Sequence, residues 1–110
     1  MQIKKATNYT LISSDEDSFK EFQKSVFKKI NDFDKKHLIL QISEELNINK
    51  EDFSLFLKIA EQKKENGTSF VILNSSVSAD DFAENLNIVP TLQEAEDILE
   101  METIERELGF

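Results

Sequence analysis

The stretch His37-Leu38-Ile39-Leu40-Gln41-Ile42 decides the fold, because it is an almost uninterrupted apolar run of strand length. A strand that is apolar on both sides must be covered on both faces of its sheet, which is typical of parallel sheets in α/β proteins. A second run of this kind, from Ser69 to Asn74, follows a segment with helical spacing. We therefore predict two central strands buried between layers of helices.

The residues before this stretch predict a hairpin and a helix. Gln2–Lys5 and Asn8–Ile12 alternate in the manner of two short paired strands. Ser13-Ser14-Asp15-Glu16-Asp17 has the hydroxyls and carboxylates of a helix start. The helix that follows carries apolar side chains at three- and four-residue steps, namely Phe19, Phe22, Val26, Ile30 and Phe33.

The residues after it predict two more helices and two strands around them. Asn49 is a candidate cap for a helix that stops at Asn66-Gly67, where glycine supplies a left-handed residue. A short helix over Ser78–Glu84 and a strand over Asn87–Val89 come next. The order of elements predicts an α/β domain over residues 1–110. Its sheet is mixed and mostly parallel, with four or five strands, an N-terminal hairpin and about four helices.

The last helix has the clearest local signature in the chain. Thr91 and Glu94 fit a capping box, and Pro90 separates them from the strand before. Its apolar residues, which we expect to form one broad stripe packed on the sheet, are Leu92, Ala95, Ile98, Leu99, Met101, Ile104 and Leu108. The acidic residues between them are expected to face solvent, and docking of this acidic side on a partner is the alternative.

Composition excludes several classes of function. The chain has 110 residues, no cysteine, one histidine and a net charge of −9, and glycine occurs only at positions 67 and 109. Clustered lysines and arginines for nucleic acid, a glycine-rich phosphate loop and a multi-histidine metal centre are therefore not expected. No apolar stretch is long enough for a membrane span, so we expect a cytoplasmic protein. We predict neither a catalytic site nor a cofactor nor a bound metal.

Three weaker chemical signals have ordinary structural explanations. Asp15, Glu16 and Asp17 would suit a cation, as would Asp80, Asp81 and Glu84, but carboxylates also stabilise helix N-termini, which is the explanation we favour. His37 precedes a buried strand, where we expect a capping or surface role rather than catalysis.

With this order of elements, the chain resembles the STAS domains, the family of the bacterial anti-sigma-factor antagonists. The family has a strand of the type "vvlDls", a loop "I-D-S-S-G" that opens a helix, a strand "G-x-x-l-x-l-v-n", and a last helix that begins with Ser or Thr and "l-x-e-A". The corresponding segments here run from His37 to Ser43, Leu46 to Leu57, Gly67 to Asn74 and Pro90 to Leu99.

The phosphorylation switch of that family is missing from this chain. The loop reads Ile48-Asn49-Lys50-Glu51-Asp52, so Glu51 stands where the family has its phosphorylatable serine, and Ser54 is the nearest hydroxyl. A carboxylate accepts no phosphoryl group, although it places negative charge at a helix start. The resemblance implies a non-enzymatic regulatory domain that binds a protein partner through Asn49, Lys50, Glu51, Asp52 and Ser54.

Two other functions stay open at this point. One is a domain that binds a small molecule or nucleotide through polar groups at the strand ends, and the other is an enzyme with an unfamiliar carboxylate site. A concave pocket with convergent polar groups would favour a ligand, whereas a flat apolar patch would favour a protein partner. The sequence also leaves open whether the chain forms a weak homodimer.

Overall fold

A five-stranded mixed sheet forms the centre of the protein. The computed structural model describes residues 1–33, 35–44, 46, 52, 56–75 and 86–109. The strands lie side by side in sequence order, with β1 antiparallel to β2 and each later neighbouring pair parallel. Their bounds are Gln2–Lys5 (β1), Thr10–Ser13 (β2), Leu38–Gln41 (β3), Phe70–Leu73 (β4) and Asn87–Val89 (β5). The predicted α/β class and the N-terminal hairpin are confirmed.

Three α-helices lie within the described residues. They are α1 at Phe19–Lys29, α2 at Leu57–Glu65 and α3 at Leu92–Glu107, and a 3₁₀ turn at Ile30–Phe33 continues α1. The predicted start of the second helix at Asn49 and the predicted helix over Ser78–Glu84 lie outside the described residues. Of the helices described, none is long and apolar enough to cross a bilayer.

The first helix begins later than its sequence suggests. Ser18 is the N-cap and accepts a hydrogen bond from the backbone N–H of Glu21 at 3.2 Å. Ser13 belongs to β2, and Ser14 accepts a hydrogen bond from the backbone N–H of Ser43. The predicted start at Ser13–Asp17 is therefore wrong. The three carboxylates do lie in the connection between β2 and α1, but only Ser18 lies one residue before the helical apolar spacing begins.

Two predicted helix caps are confirmed, the C-terminal cap of α2 and the N-cap of α3. Gly67 has a φ of 75°, the left-handed conformation that glycine adopts without strain, and its N–H closes the end of α2 by bonding to the carbonyl of Lys64. Thr91 caps α3 by accepting a hydrogen bond from the Glu94 N–H at 3.2 Å. The Glu94 carboxylate in turn accepts a hydrogen bond from the Thr91 hydroxyl, at 3.1 Å.

The two faces of the sheet pack against different helices, as the alternation of side chains along each strand requires. Leu38 and Leu40 of β3 point toward α1 and α2, whereas Ile39 points toward α3. The same division holds in β4, where Val71 and Leu73 contact the α3 side. The sheet is thus the middle layer of three.

The centre of the α1 side is aromatic. The ring of Phe56 lies 5.7 Å from that of Phe19 in an edge-to-face arrangement, and 6.2 Å from that of Phe70. Beside this cluster, the side chain of Lys63 is only 3% exposed. Its ammonium donates to the backbone carbonyl of Phe33, at the end of the 3₁₀ turn, and to that of Lys36. A buried cation therefore joins α2 to the end of the preceding helical segment.

Candidate functional site

The binding segment predicted from the family resemblance follows β3. Asn49, Lys50, Glu51 and Ser54 lie outside the described residues, so their placement stays a prediction. Asp52 is described, and it is half-buried in a helical conformation. The structure thus locates one of the predicted contact residues and tests none of their roles.

Polar groups at the carboxyl ends of the strands stabilise the sheet itself. Ser14 accepts the backbone N–H of Ser43 at 2.8 Å, which joins the ends of β2 and β3. The buried amide of Asn74 donates to the carbonyl of Ile42 at 3.1 Å, which joins the ends of β3 and β4. Ligands of open α/β sheets usually bind at this edge. Here the described side chains at the edge already serve as links between neighbouring strands.

Two carboxylates of the acidic run before α1 contact the amino terminus of the chain rather than the start of the helix. Asp15 and Glu16 both accept hydrogen bonds from the α-ammonium group of Met1, the latter at 2.9 Å. Burial raises the pKa of Glu16, but bonds from that ammonium, from the Asp15 N–H and from Ser25 outweigh it and lower the pKa to about 2. The expected helix-start role is therefore wrong for Asp15 and Glu16.

The second acidic set, Asp80, Asp81 and Glu84, lies outside the described residues. Within the part of the chain that is described, no three His, Asp or Glu side chains lie close enough together to hold a metal ion.

His37 has the capping role expected of it at the amino ends of the strands. Its Nδ1 accepts a hydrogen bond from the backbone N–H of Ser69 at 2.9 Å, just before β4 begins. The imidazole therefore carries its proton on Nε2 when it is neutral. Burial lowers the pKa of His37, the positive charges of Arg106 and Lys63 lower it further, and Glu102 opposes them.

A polar cleft of about 650 Å³ opens near this edge, between the ends of α2 and α3. Its charged lining comprises two cations, Lys64 and Arg106, and four carboxylates, namely Glu61, Glu65, Glu102 and Glu105. Arg106 already donates to the hydroxyl of Ser69 at 3.1 Å. Small-molecule sites are mostly apolar with a few polar groups, whereas this cleft is lined largely by charged side chains of both signs.

The last helix is apolar on two opposite sides. Ala95 and Leu99 are buried against the sheet, and Ile98 is half-buried beside them. The other side carries Met101, Ile104 and Leu108, which are 54%, 48% and 64% exposed and which we call the outer stripe. The expectation that the apolar residues of this helix pack together on the sheet is therefore wrong, as it also is for the exposed Leu92. A flat sheet contacts only one side of a helix.

The border of the outer stripe is acidic. Asp97, Glu100 and Glu105 line the same shallow groove as the three apolar side chains. Arg106, the basic residue of this helix, points away toward Ser69 and does not neutralise the groove. The described surface thus combines a contiguous apolar strip with a border whose charged groups are all negative.

Helical geometry alone would have revealed the outer stripe. Successive residues turn by about 100°, so Met101 lies about 160° around the helix from Leu99 and cannot share its face. The apolar residues of α3 therefore cannot form one stripe, although their number suggests a broad one. What the sequence does not indicate is which of the two sides the sheet covers.

In comparisons with known protein families and with curated proteins, the chain matched no family model and no curated protein. The STAS resemblance accordingly stays a prediction.

Proposed function

We propose that the domain is a non-enzymatic interaction module that binds another protein through the outer stripe of α3. The observation that supports this proposal is the exposure of Met101, Ile104 and Leu108 on a helix whose opposite side already packs on the sheet. Single exposed apolar side chains are common on protein surfaces. A contiguous apolar strip with a polar border is a feature of interaction sites.

The STAS resemblance suggests the same class of function with a second contact region. In that family-based part of the proposal, the segment Asn49–Ser54 meets a regulatory partner, and Glu51 supplies a permanent negative charge where the family phosphorylates a serine. A STAS-like sheet with a fourth helix over residues 78–84, and action in the cytoplasm, belong to the same proposal.

Small-molecule binding is the alternative, and the polar cleft between α2 and α3 is its best location. The volume of about 650 Å³ suits a small ligand. Against it, the cleft is bordered by four carboxylates, of which two cations offset only half, and Arg106 is held by Ser69 and Thr103. Among the described residues, the apolar side chains of the outer stripe are left exposed, so protein binding is the function that the geometry favours.

Site-specific photo-crosslinking tests the proposal. A photoreactive amino acid is introduced at position 101, at position 51, or at position 3 as a control, because Ile3 is an exposed apolar residue of the edge strand β1. Cross-linked products from cells that make the protein are identified by mass spectrometry. Each partner is then purified and its binding to the wild type and to Ile104→Ser is measured.

A partner that cross-links at position 101 but not at position 3, and that binds Ile104→Ser more weakly, is the expected result. Cross-linking at position 51 alone would move the contact to the family-predicted loop and refute the assignment to α3. If neither position yields a partner that binds in purified form, the interaction function is wrong.

A further inference from the structure

The outer stripe has the spacing of a coiled-coil seam. Met101, Ile104 and Leu108 are separated by three and then four residues, the alternation by which apolar positions repeat in a heptad. The two preceding positions of the series are Asp97 and Glu94. A helix with this spacing presents side chains that interlock with those of another helix laid alongside it.

The positions that flank this seam are acidic. Glu100, Glu105 and Glu107 stand where coiled-coil helices place the charges that pair with a partner, and all three are exposed. Asp97 adds a carboxylate to the groove itself. Since Arg106 faces Ser69 on the sheet side, the described border of the seam contains no basic residue. A partner that neutralises this border must bring lysine or arginine.

A second copy of the chain fits this surface poorly. Two α3 helices packed along their outer stripes would bring Glu100 of one copy near Glu105 of the other in a parallel pair, and near Glu107 in an antiparallel pair. Like charges placed opposite each other oppose association. The net charge of −9 on each chain adds a longer-range repulsion.

We infer that the occupant of the outer stripe is an amphipathic helix of a partner protein, with apolar residues in heptad spacing and lysine or arginine beside them. This inference rests on the proposed function and specifies its partner. Because α3 is held in place by the sheet, binding does not require it to order first. The apolar seam spans only two turns, and an interface of this size supports a transient complex.

Three synthetic helical peptides of about three heptads test the charge and the spacing separately. The first has leucines at the seam positions and lysines at the flanking ones. The second keeps the leucines and replaces the lysines by glutamates. The third has the composition of the first with the leucine spacing broken. Binding of each labelled peptide to the full chain is measured by fluorescence anisotropy at about 0.1 M salt, where charges are screened beyond about 10 Å.

Matched variants locate the site on the protein. Ile104→Ser removes the centre of the seam, and Ile3→Ser removes a comparably exposed isoleucine on β1. The double variant Glu100→Gln/Glu105→Gln removes two border charges. Glu61→Gln/Glu65→Gln removes two exposed charges from α2 and serves as its control. Circular dichroism verifies that each variant is folded, and Met101→Ser replaces Ile104→Ser if the latter is not.

We expect only the lysine peptide with intact spacing to bind, with affinity reduced about tenfold by Ile104→Ser and left unchanged by Ile3→Ser. The Glu100/Glu105 variant should weaken binding more than its α2 control does. Binding of the glutamate peptide, or equal binding of the broken-spacing peptide, would overturn the inference. So would a dimer of this chain that Ile104→Ser dissociates. If the peptide fails while a purified partner still depends on Ile104, the partner chemistry is wrong and the proposed function stands.

Discussion

The two faces of the central sheet are closed in different ways. The α1 side is covered by two described helices, and the buried phenylalanines of the described residues all lie there. The α3 side is covered by one described helix, and the buried residues of its described core are aliphatic. One face therefore resembles the centre of a domain, whereas the other is a thinner layer whose single helix is apolar on both sides.

This difference separates residues that hold the fold from residues available for binding. On the α1 side, the apolar residues that recur at helical spacing are buried, as Phe22 and Val26 show. On α3 the same apolar character gives two outcomes, burial for Leu99 and exposure for Met101. Apolar character in this chain thus indicates core only where two layers meet.

Truncation of core residues on the two sides should show the largest effect. We expect Phe22→Ala to reduce the free energy of unfolding by about 3–5 kcal/mol, and Leu99→Ala by about 2–3 kcal/mol, because the thinner layer collapses more easily around a lost side chain. Ile98→Ala should cost less again, since Ile98 is only half-buried. Urea denaturation measures all three. A cost for Leu99→Ala equal to that of Phe22→Ala would refute the distinction between the faces.

The buried ammonium of Lys63 should matter next. Lys63→Met keeps an unbranched stem that lacks only the ammonium, and it leaves the carbonyls of Phe33 and Lys36 without this donor, so we expect a loss of about 1–3 kcal/mol. The neighbouring Lys64 is exposed and provides the control, since Lys64→Met should change stability by less than about 0.5 kcal/mol. Equal effects of the two substitutions would show that the Lys63 contacts contribute nothing.

His37 should titrate below its ordinary pKa of 6.5. The pKa of His37 is lower in the folded than in the unfolded protein, so at a pH between these two values the native protein binds fewer protons than the unfolded chain. The stability that this provides is complete above about pH 6.5 and declines as the pH falls below it. Because His37 is the only histidine, its imidazole signal in a proton NMR titration needs no assignment.

Two variants test the causes of that shift. Burial is the largest, and the charge of Arg106 is the next. Arg106→Gln should therefore raise the pKa of His37, and Glu102→Gln should lower it further. A His37 pKa at or above 6.5 in the wild type would contradict the contact between its Nδ1 and the Ser69 N–H, because protonation of that nitrogen removes the acceptor.

Strong local patterns correctly predicted the sheet, the N-cap of α3 and the C-terminal cap of α2. The apolar runs around Ile39 and Val71 need two covered faces, and Thr91 and Gly67 have conformational roles that neighbouring residues determine. The errors arose where distant parts of the chain compete for the same groups. Asp15 and Glu16 have the pattern of a helix start, yet they accept bonds from the Met1 ammonium, more than ten residues away. No local signal reports such a contact.

The candidate site was only partly predictable for a related reason. The sequence shows that α3 has apolar residues around much of its circumference, but the side that packs depends on where the helix meets β4 and β5. The burial of Lys63 could likewise not be predicted, since a lysine in a helix is normally exposed and its partners, the carbonyls of Phe33 and Lys36, are distant in the sequence. The roles of Glu51 and its neighbours remain predictions from the family resemblance.

The smallest expected effect is the most informative about the two sides of α3. Ile104→Ser should change the free energy of unfolding by less than about 0.5 kcal/mol, because this side chain is already about half exposed and has little buried area to lose. Leu99→Ser, five residues earlier on the same helix, should cost at least as much as Leu99→Ala, since it also buries a hydroxyl against the sheet. Urea denaturation of the two serine variants therefore compares the same apolar-to-serine change on opposite sides of one helix. If Ile104→Ser costs more than about 2 kcal/mol in the isolated protein, the outer stripe is a structural surface of this chain, and a partner helix has no vacant place to bind there.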